Sequence, residues 1–571
     1  MRPLMAFLLV CCLAEIQAQN KFPQKPNILW ITCEDISPFV GAYGHSEVRT
    51  PNIDRLAREG VLYSRAYTTA GVCAPSRSAI ITGMYQQSIG THHMRTNGSP
   101  KYQPVPPYSA VIPDYVKCFP EYLRMAGYYC TNNEKQDYQF QAPITVWDEN
   151  GPAASFRNRS KGQPFFAVFN FQITHESQLF SRKDSLLVDA DKVVVPPLYA
   201  DTKTARRDIA RLLTNIERMD SQVGDLLDML RKDGLYENTI IFFYSDHGGN
   251  LPWMKRELLE RGTHIPFIIR FPGAVHGGTV SEELISAVDF APTVLSLAGV
   301  KIPSHMQGQA FSGAQQSKKA RQYVFAARDR MDEHYDRVRM VRDKRYRYLY
   351  NYMSEKPYYQ DISYRLSIPM MAEILQLKEQ GKLNDTQLKW FASKPEEELY
   401  DVANDPYELN NLAGDAKYID KLIELRAAFR QWNKTVGDMG AIPEKEMISQ
   451  MWNGRDEPPA TALPKVVPAK GGVKLSCSTK GASIGYRIVK LGAEPKREMH
   501  AVTNWDITMI FGNSVSNGQL ISAQPVWQVY DGKTIWLAQG DTLLVQAMRI
   551  GFKPSALEYI DGKTFVGQPK N

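Results

Sequence analysis

The sequence predicts an α/β fold: a large, mostly parallel sheet flanked by helices, followed by a smaller α+β C-terminal subdomain and a terminal β-sandwich. Three observations predict it. Continuous apolar runs (PNILWITC at 26–33, FFAVFNF at 165–171, TIIFFY at 239–244) alternate with amphipathic segments. A basic–apolar alternation, RVRMVRDKRYRYLY at 337–350, replaces that pattern in the second half. Short strand candidates with Gly-containing turns fill the region after 471.

The elements follow in order. Residues 1–19 carry Arg2, an apolar run over 4–13 and a small, polar end (Ala14, Gln17, Ala18, Gln19), the layout of a cleaved secretory signal. The run is too short to span a bilayer. Cys11 and Cys12 leave a lipoprotein signal as the alternative, although the residues before them are not the small ones expected. A secreted or periplasmic protein without a membrane span is expected.

The run at 26–33 suits a strand buried on both faces. Thr50 and Pro51 then open a helix with Ile53, Leu56 and Ala57 as its stripe and Gly60 as its stop. Residues 128–131, 165–171, 239–244 and 266–271 read as further strands, and 208–232 as a long amphipathic helix. The alternation at 337–350 fits antiparallel strands with one wet face, and 418–432 a closing helix. A catalytic α/β domain over 20–330, a subdomain over 331–456, a Pro-rich linker over 457–470 and a β-sandwich over 471–571 are the expected units.

Composition narrows the function classes. With 43% hydrophobic and 23% charged residues the chain is neither disordered nor membrane-embedded in character. A net charge of +7 over 571 residues, with no block of Lys and Arg, argues against nucleic acid and leaves an acidic substrate compatible. Beyond the signal lie Cys33, Cys73, Cys118, Cys130 and Cys477, an odd set without paired metal-ligand spacing. A bridge between Cys118 and Cys130 stays open.

Cys73 stands out by its neighbours, Ala74-Pro75-Ser76-Arg77, with Thr82 and Gly83 downstream. Pro75 suits a first helical turn and Gly83 an end, so Cys73 sits just before a short helix whose free amides favour an anion. A cysteine in that position is ordinarily a small buried residue. Here CAPSR followed by TG resembles the C-x-P-S-R…T-G signature of type I sulfatases in the alkaline phosphatase superfamily. The resemblance implies that a separate formylglycine-generating (sulfatase-maturating) enzyme oxidises Cys73 to formylglycine. One hydroxyl of its hydrate attacks sulfur and the other later expels sulfate, a covalent cycle in two steps. Arg77 would hold the formylglycine.

Acids stand where a sheet-edge metal site needs them: Glu34 and Asp35 after the first strand, Asp246 and His247 after 239–244. Three carboxylates suit a hard cation such as Ca2+. The family places its metal ligands here, together with the modified Cys73; Glu34 replaces the commoner Asp. Lys135 and Lys255 match the family's sulfate-binding lysines, and His175 the histidine that protonates the leaving oxygen. Two departures stand out. Glu134-Lys135-Gln136-Asp137 replaces Gly-Lys-x-His, with Asp137 or Asn133 as substitutes for the lost histidine, and Met84 replaces an arginine.

Residues 286–300 and 398–412 resemble further sulfatase blocks, so the resemblance covers about 26–450. The tail, through 473–488 and 540–556, resembles the β-sandwich at the C-terminus of chitobiases. His92, His93, Arg95, Arg330 and His334 form a candidate rim for a sulfated carbohydrate. O-sulfate hydrolysis on a glycan or glycosaminoglycan is the leading expectation, with N-sulfoglucosamine hydrolysis as its near alternative. A superfamily phosphohydrolase would place Ser or Thr at 73, and a non-catalytic glycan-binding protein would keep Cys73 as a thiol.

Overall fold

The structure is a computed structural model that describes residues 25–96, 105–490 and 526–562; the signal expected over 1–19 lies outside them. The main sheet contains β1 (Asn27–Cys33), β2 (Val61–Tyr67), β3 (Tyr129–Asn133), β4 (Glu149–Asn150), β5 (Phe165–Phe171), β6 (Thr239–Ser245), β7 (His264–Ile265), β8 (Phe267–Arg270) and β9 (Thr279–Ser286). Their order is β4-β3-β5-β1-β6-β8-β2-β7, with β9 beside β2. From β4 to β6 every pairing is parallel. β8 runs antiparallel to both β6 and β2.

Every residue of β1, β5 and β6 is buried, as expected of strands covered on both faces. Strand alternation divides them. Leu29, Ile31, Phe165, Phe169, Ile241 and Phe243 face one layer with α1 (Pro51–Glu59) and the long helix Lys203–Lys232. Trp30, Phe166, Val168 and Phe242 face the other, where α2 (Cys73–Thr82) and the helices Phe119–Met125 and Phe290–Leu297 lie. The long helix starts at Lys203 rather than 208, because Thr202 caps it through the Ala205 amide at 3.0 Å. Gly60 follows α1 in extended conformation, and the site has no room for a side chain: a Cβ there would lie 2.4 Å from the Ile269 carbonyl oxygen.

An antiparallel sheet of β10 (Val324–Met331), β11 (His334–Arg342), β12 (Tyr346–Asn351) and β13 (Glu397–Asp401) forms the second layer system. The helix Ile419–Val436 closes one face with Leu422, Leu425, Phe429 and Trp432. The expected wet face is absent from β11 and β12. Arg339 and Arg347 are fully buried, bound to Asp329 and Asp438 at 3.0 and 2.7 Å and to Glu260 and Glu408 at 2.5 and 3.0 Å. Basic residues alternate there because carboxylates from other segments meet them, not because water does.

The C-terminal region holds two antiparallel sheets. One contains β14 (Lys465–Ala469), β15 (Gly472–Ser476) and β18 (Ile535–Trp536), with β14 inside the passage read as a linker. The other contains β16 (Ser483–Val489), β17 (Gln528–Val529), β19 (Thr542–Met548) and β20 (Glu558–Asp561). Val473, Leu475, Ile484, Ile535, Leu543 and Val545 share one apolar cluster between them. Lys117 reaches Ser483 at 2.7 Å, and Arg549 donates to the Ile112 carbonyl, so this region rests against the main domain. All five described cysteines are free, so Cys118 and Cys130 form no bridge; the Cys130 thiol is 3.9 Å from the Pro120 carbonyl instead. No helix among the described residues is long and apolar enough to cross a membrane.

Candidate active site

The site forms where strand ends meet. β1 and β6 are in register from Asn27 opposite Thr239 to Cys33 opposite Ser245, so Glu34-Asp35 and Asp246-His247 emerge side by side at the carboxyl edge. β5 ends level with β1 and leads into Thr174, His175 and Glu176. β3 ends at Asn133, just before Lys135. The amino end of α2 points Cys73 into the same edge. Cys73 is itself the first helical residue, with Val72 as N-cap and Gly83 closing the helix in the left-handed region, φ 67°.

Cys73 Sγ lies 3.2 Å from His247 Nε2 and 3.8 Å from Asp35 Oδ1. It packs with Val72, Met94, Met331 and Ile362, so the second sheet walls this side of the site. Arg77 donates through Nε to Asp246 Oδ2 at 2.9 Å and through Nη1 to Asn170 Oδ1 at 2.7 Å; its Nη2 is 3.6 Å from Glu34 Oε1. Lys135 Nζ is 2.9 Å from Glu34 Oε2, and Lys255 Nζ is 2.5 Å from Asp35 Oδ2. His175 Nε2 stands 3.9 Å from Glu34 Oε2, while its Nδ1 meets Ser177 Oγ at 2.9 Å. All nine of these predicted catalytic and metal-site residues, on five separate segments, thus converge.

The donor set fits a hard cation. Ligand atoms of Asp35, Cys73, Asp246 and His247 all lie within 4.8 Å of one another, and those of Glu34, Asp35 and His175 form an overlapping group. Glu34 Oε1 is buried and accepts no hydrogen bond. His247 Nδ1 faces the Gly248 carbonyl at 2.9 Å and its Nε2 faces Asp35 Oδ1 at 2.9 Å, so Nε2 is the atom the ring would offer a cation once deprotonated.

Electrostatics favour anions at position 73. Burial alone would raise the Cys73 thiol, but Lys135 and Lys255 outweigh it and bring it down to about 6. Burial likewise opposes ionisation of Asp35, yet Lys255, His175 and His247 hold it well below the usual carboxylate range. Burial lowers His247, and Asp246 with Asp35 reverse this and lift it to about 10.

The predicted rim residues separate. His92 and His93 are buried; burial lowers His92 to about 3, and His93 Nδ1 accepts from the Arg330 amide at 3.2 Å. Arg330 is buried and clamps Glu444 at 2.6 and 2.7 Å. Arg95 is part-exposed, 3.7 Å from Asp332, and His334 Nε2 meets the Asp361 carbonyl at 2.8 Å. Asn133 spends its amide on the carbonyls of Gly151, Pro152 and Ala154, whereas Asp137 lies 3.8 Å from Lys135.

Four residues of the site escaped the sequence reading. Asn170 orients Arg77; its signal was a lone amide within the apolar run FFAVFNF. Glu176 lies 3.5 Å from Lys255 and takes Arg256 in a bidentate pair at 2.9 and 3.1 Å. Arg256 also holds Asp332 at 3.1 Å. Only their adjacency to His175 and Lys255 could have pointed to Glu176 and Arg256, and nothing local marks Asp332.

A buried anion-seeking position facing carboxylates and two lysines, at the carboxyl edge of such a sheet, defines a hydrolase of anionic esters. The sulfatase family profile matches residues 26–161 and 151–300, and the profile described as N-sulphoglucosamine sulphohydrolase, C-terminal, matches 249–364. An ulvan-active sulfatase of Formosa agariphila is 45% identical over 578 aligned positions, covering 95% of this chain and 92% of that protein. Human N-sulphoglucosamine sulphohydrolase is 26% identical, covering 71% and 89%. Among solved structures, a 2-O GAG sulfatase superposes with a TM-score of 0.53 at 22% identity, covering 72% and 93%. The chain belongs to the sulfatase family and is a sulfuric ester hydrolase.

Proposed function

We propose that the protein removes a sulfate ester from a carbohydrate, with Cys73 converted to formylglycine by a maturating enzyme and a calcium ion held beside it. The observation that carries this reading is the placement of Cys73, 3.2 Å from His247 and 3.8 Å from Asp35, under the joint field of Lys135 and Lys255. Hydrated formylglycine supplies a hydroxyl nucleophile for sulfur, and calcium supplies positive charge to the sulfate oxygens.

The chain's own residues do the rest. Glu34, Asp35, Asp246 and His247 would hold the cation through their inward-facing donors. Arg77 fixes Asp246 and Asn170 and adds charge beneath position 73. Lys135 and Lys255 bind the oxygens on which negative charge grows as the ester bond breaks. His175, oriented by Ser177, hands a proton from Nε2 to the departing sugar oxygen. Arg95 and His334 would meet the sugar, while His92, His93 and Arg330 are buried.

The near full-length likeness to an ulvan-active sulfatase supports an O-sulfated polysaccharide of that kind as substrate. The match of 249–364 to a sulphoglucosamine sulphohydrolase profile favours N-sulfate as the second reading. Export through the segment at 1–19 is part of the proposal. Peptide mass spectrometry across Cys73 tests the nucleophile. Sulfate release from a panel of O- and N-sulfated sugars, with Cys73→Ala as control, tests the reaction. An unmodified thiol in active protein, or equal release by Cys73→Ala, defeats the reading.

A further inference from the structure

The three-stranded C-terminal sheet presents a face that the chemistry above leaves unused. Val473, Leu475 and Ile535 point into the apolar cluster, so alternation places Lys465, Val467, Gly472, Lys474 and Trp536 on the opposite side. Trp536 is 68% exposed, a large amount for an indole in a strand. It is also held. A Cβ at Gly471 would lie 1.7 Å from its Cζ3 and 2.6 Å from its Cε3, so the benzo edge rests on bare backbone. Gly472, its cross-strand partner, likewise offers no side chain.

Around this ring the face is cationic. Lys465, Lys474 and Lys470 are exposed and make no salt bridge among the described residues. None of the face positions named above carries a carboxylate.

We propose that this face is a second, non-catalytic binding surface for a sulfated polysaccharide, with Trp536 stacking on a sugar ring and Lys465 and Lys474 pairing with its sulfates. The occupant follows from the chemistry. A fixed aromatic ring matches the apolar face of a sugar, and separated, unpaired ammonium groups match sulfates spaced along a chain. A lipid surface would instead call for a continuous apolar face. The proposal rests on the sulfated-carbohydrate reading for its ligand class, but not on the catalytic site.

Affinity electrophoresis of the full-length enzyme through gels containing ulvan or chemically desulfated ulvan tests it. Wild type should be retarded more by ulvan. Trp536→Ala and the pair Lys465→Gln/Lys474→Gln should each weaken retention by about fivefold, with sulfate release from a small sulfated sugar unchanged. Wild-type retention of either variant, or equal retardation by desulfated ulvan, would overturn the proposal. So would Trp536-dependent binding to anionic phospholipid vesicles in place of ulvan. A wild type retained through Trp536 that releases no sulfate from any sugar would uphold the surface while rejecting the proposed reaction.

Discussion

Replacing Lys255 by Met removes one charge while keeping most of the stem, and it separates two free energies. Its ammonium lies 2.5 Å from Asp35 Oδ2 and 3.5 Å from Glu176 Oε2, with 3% of the side chain exposed. Deleting one partner of a buried pair costs roughly 3–5 kcal/mol, because the other charge stays buried without compensation. Other contacts reduce this. Asp35 keeps His247 at 2.9 Å and the Glu176 amide at 2.7 Å, and Glu176 keeps Arg256 at 2.9 and 3.1 Å. The lower end, about 3 kcal/mol, is expected in thermal or denaturant unfolding. A preorganised group that stabilises developing negative charge contributes about 10²–10³ in kcat, or about 3–4 kcal/mol. Lys255→Met should lose that factor in sulfate release at saturating substrate, once mass spectrometry confirms formylglycine in the variant. The pair of the half-exposed Arg345 with Asp401, at 2.9 and 2.5 Å, gives the contrast: Arg345→Ala should move Tm little and leave kcat unchanged. A folded, formylglycine-bearing Lys255→Met enzyme with kcat within about threefold of wild type would refute the assignment of Lys255 to the transition state.

Three further predictions concern the metal, a buried acid and a packing contact. On the proposed calcium site, chelation should lower both Tm and activity, with calcium restoring them better than magnesium because the carboxylates of Glu34, Asp35 and Asp246 offer several oxygens without the strict octahedral geometry magnesium demands; equal rescue by magnesium would count against calcium. Burial pushes Asp329 up to about 7, with Arg339 opposing and Asp438 adding to the rise. An acid raised in this way binds extra protons in the folded state, so its stabilisation is complete below pH of about 4 and lost as pH climbs through about 7. Asp329→Asn should therefore raise Tm over wild type at pH 8, by less at pH 5, and change it little only near pH of about 4 and below, with a ceiling of about 4 kcal/mol; a pH-independent difference would contradict the sign. At Gly71 a Cβ would lie 2.3 Å from the Glu257 carbonyl oxygen, and the Gly71 carbonyl accepts from the Arg256 amide at 2.6 Å. Gly71→Ala should cost about 1–3 kcal/mol and depress kcat by shifting the loop that carries Lys255, and an unaltered Tm would show that the loop yields freely.

What could be read in advance depended on whether the signal was local. Continuous apolar runs mark β1, β5 and β6 because burial on both faces leaves no polar position, and the acids after β1 and β6 then fall at one edge by topology alone. Pro75 and Gly83 mark α2 for equally local reasons. The long helix was read short because Lys203 to Arg207 carry no apolar stripe, so its start depends on the Thr202 cap. Arg339, Arg342 and Arg347 were misread as solvent-facing for a different reason: alternation reports which residues share a face, not what covers it. Their partners, Glu260, Glu408 and Asp438, come from distant segments.

The same non-locality hid the structure behind Lys255. Lys255 touches Asp35 and Glu176, Glu176 holds Arg256, and Arg256 holds Asp332 in the turn between β10 and β11, where Arg95 also approaches. Every link is nearly fully buried except Arg95, so each charge depends on the next for its compensation. The turn at the rim is thereby tied to the lysine beside position 73. Removing Asp332 would leave Arg256 short of a partner beside Glu176, so the second sheet is linked to the anion site through these buried ion pairs.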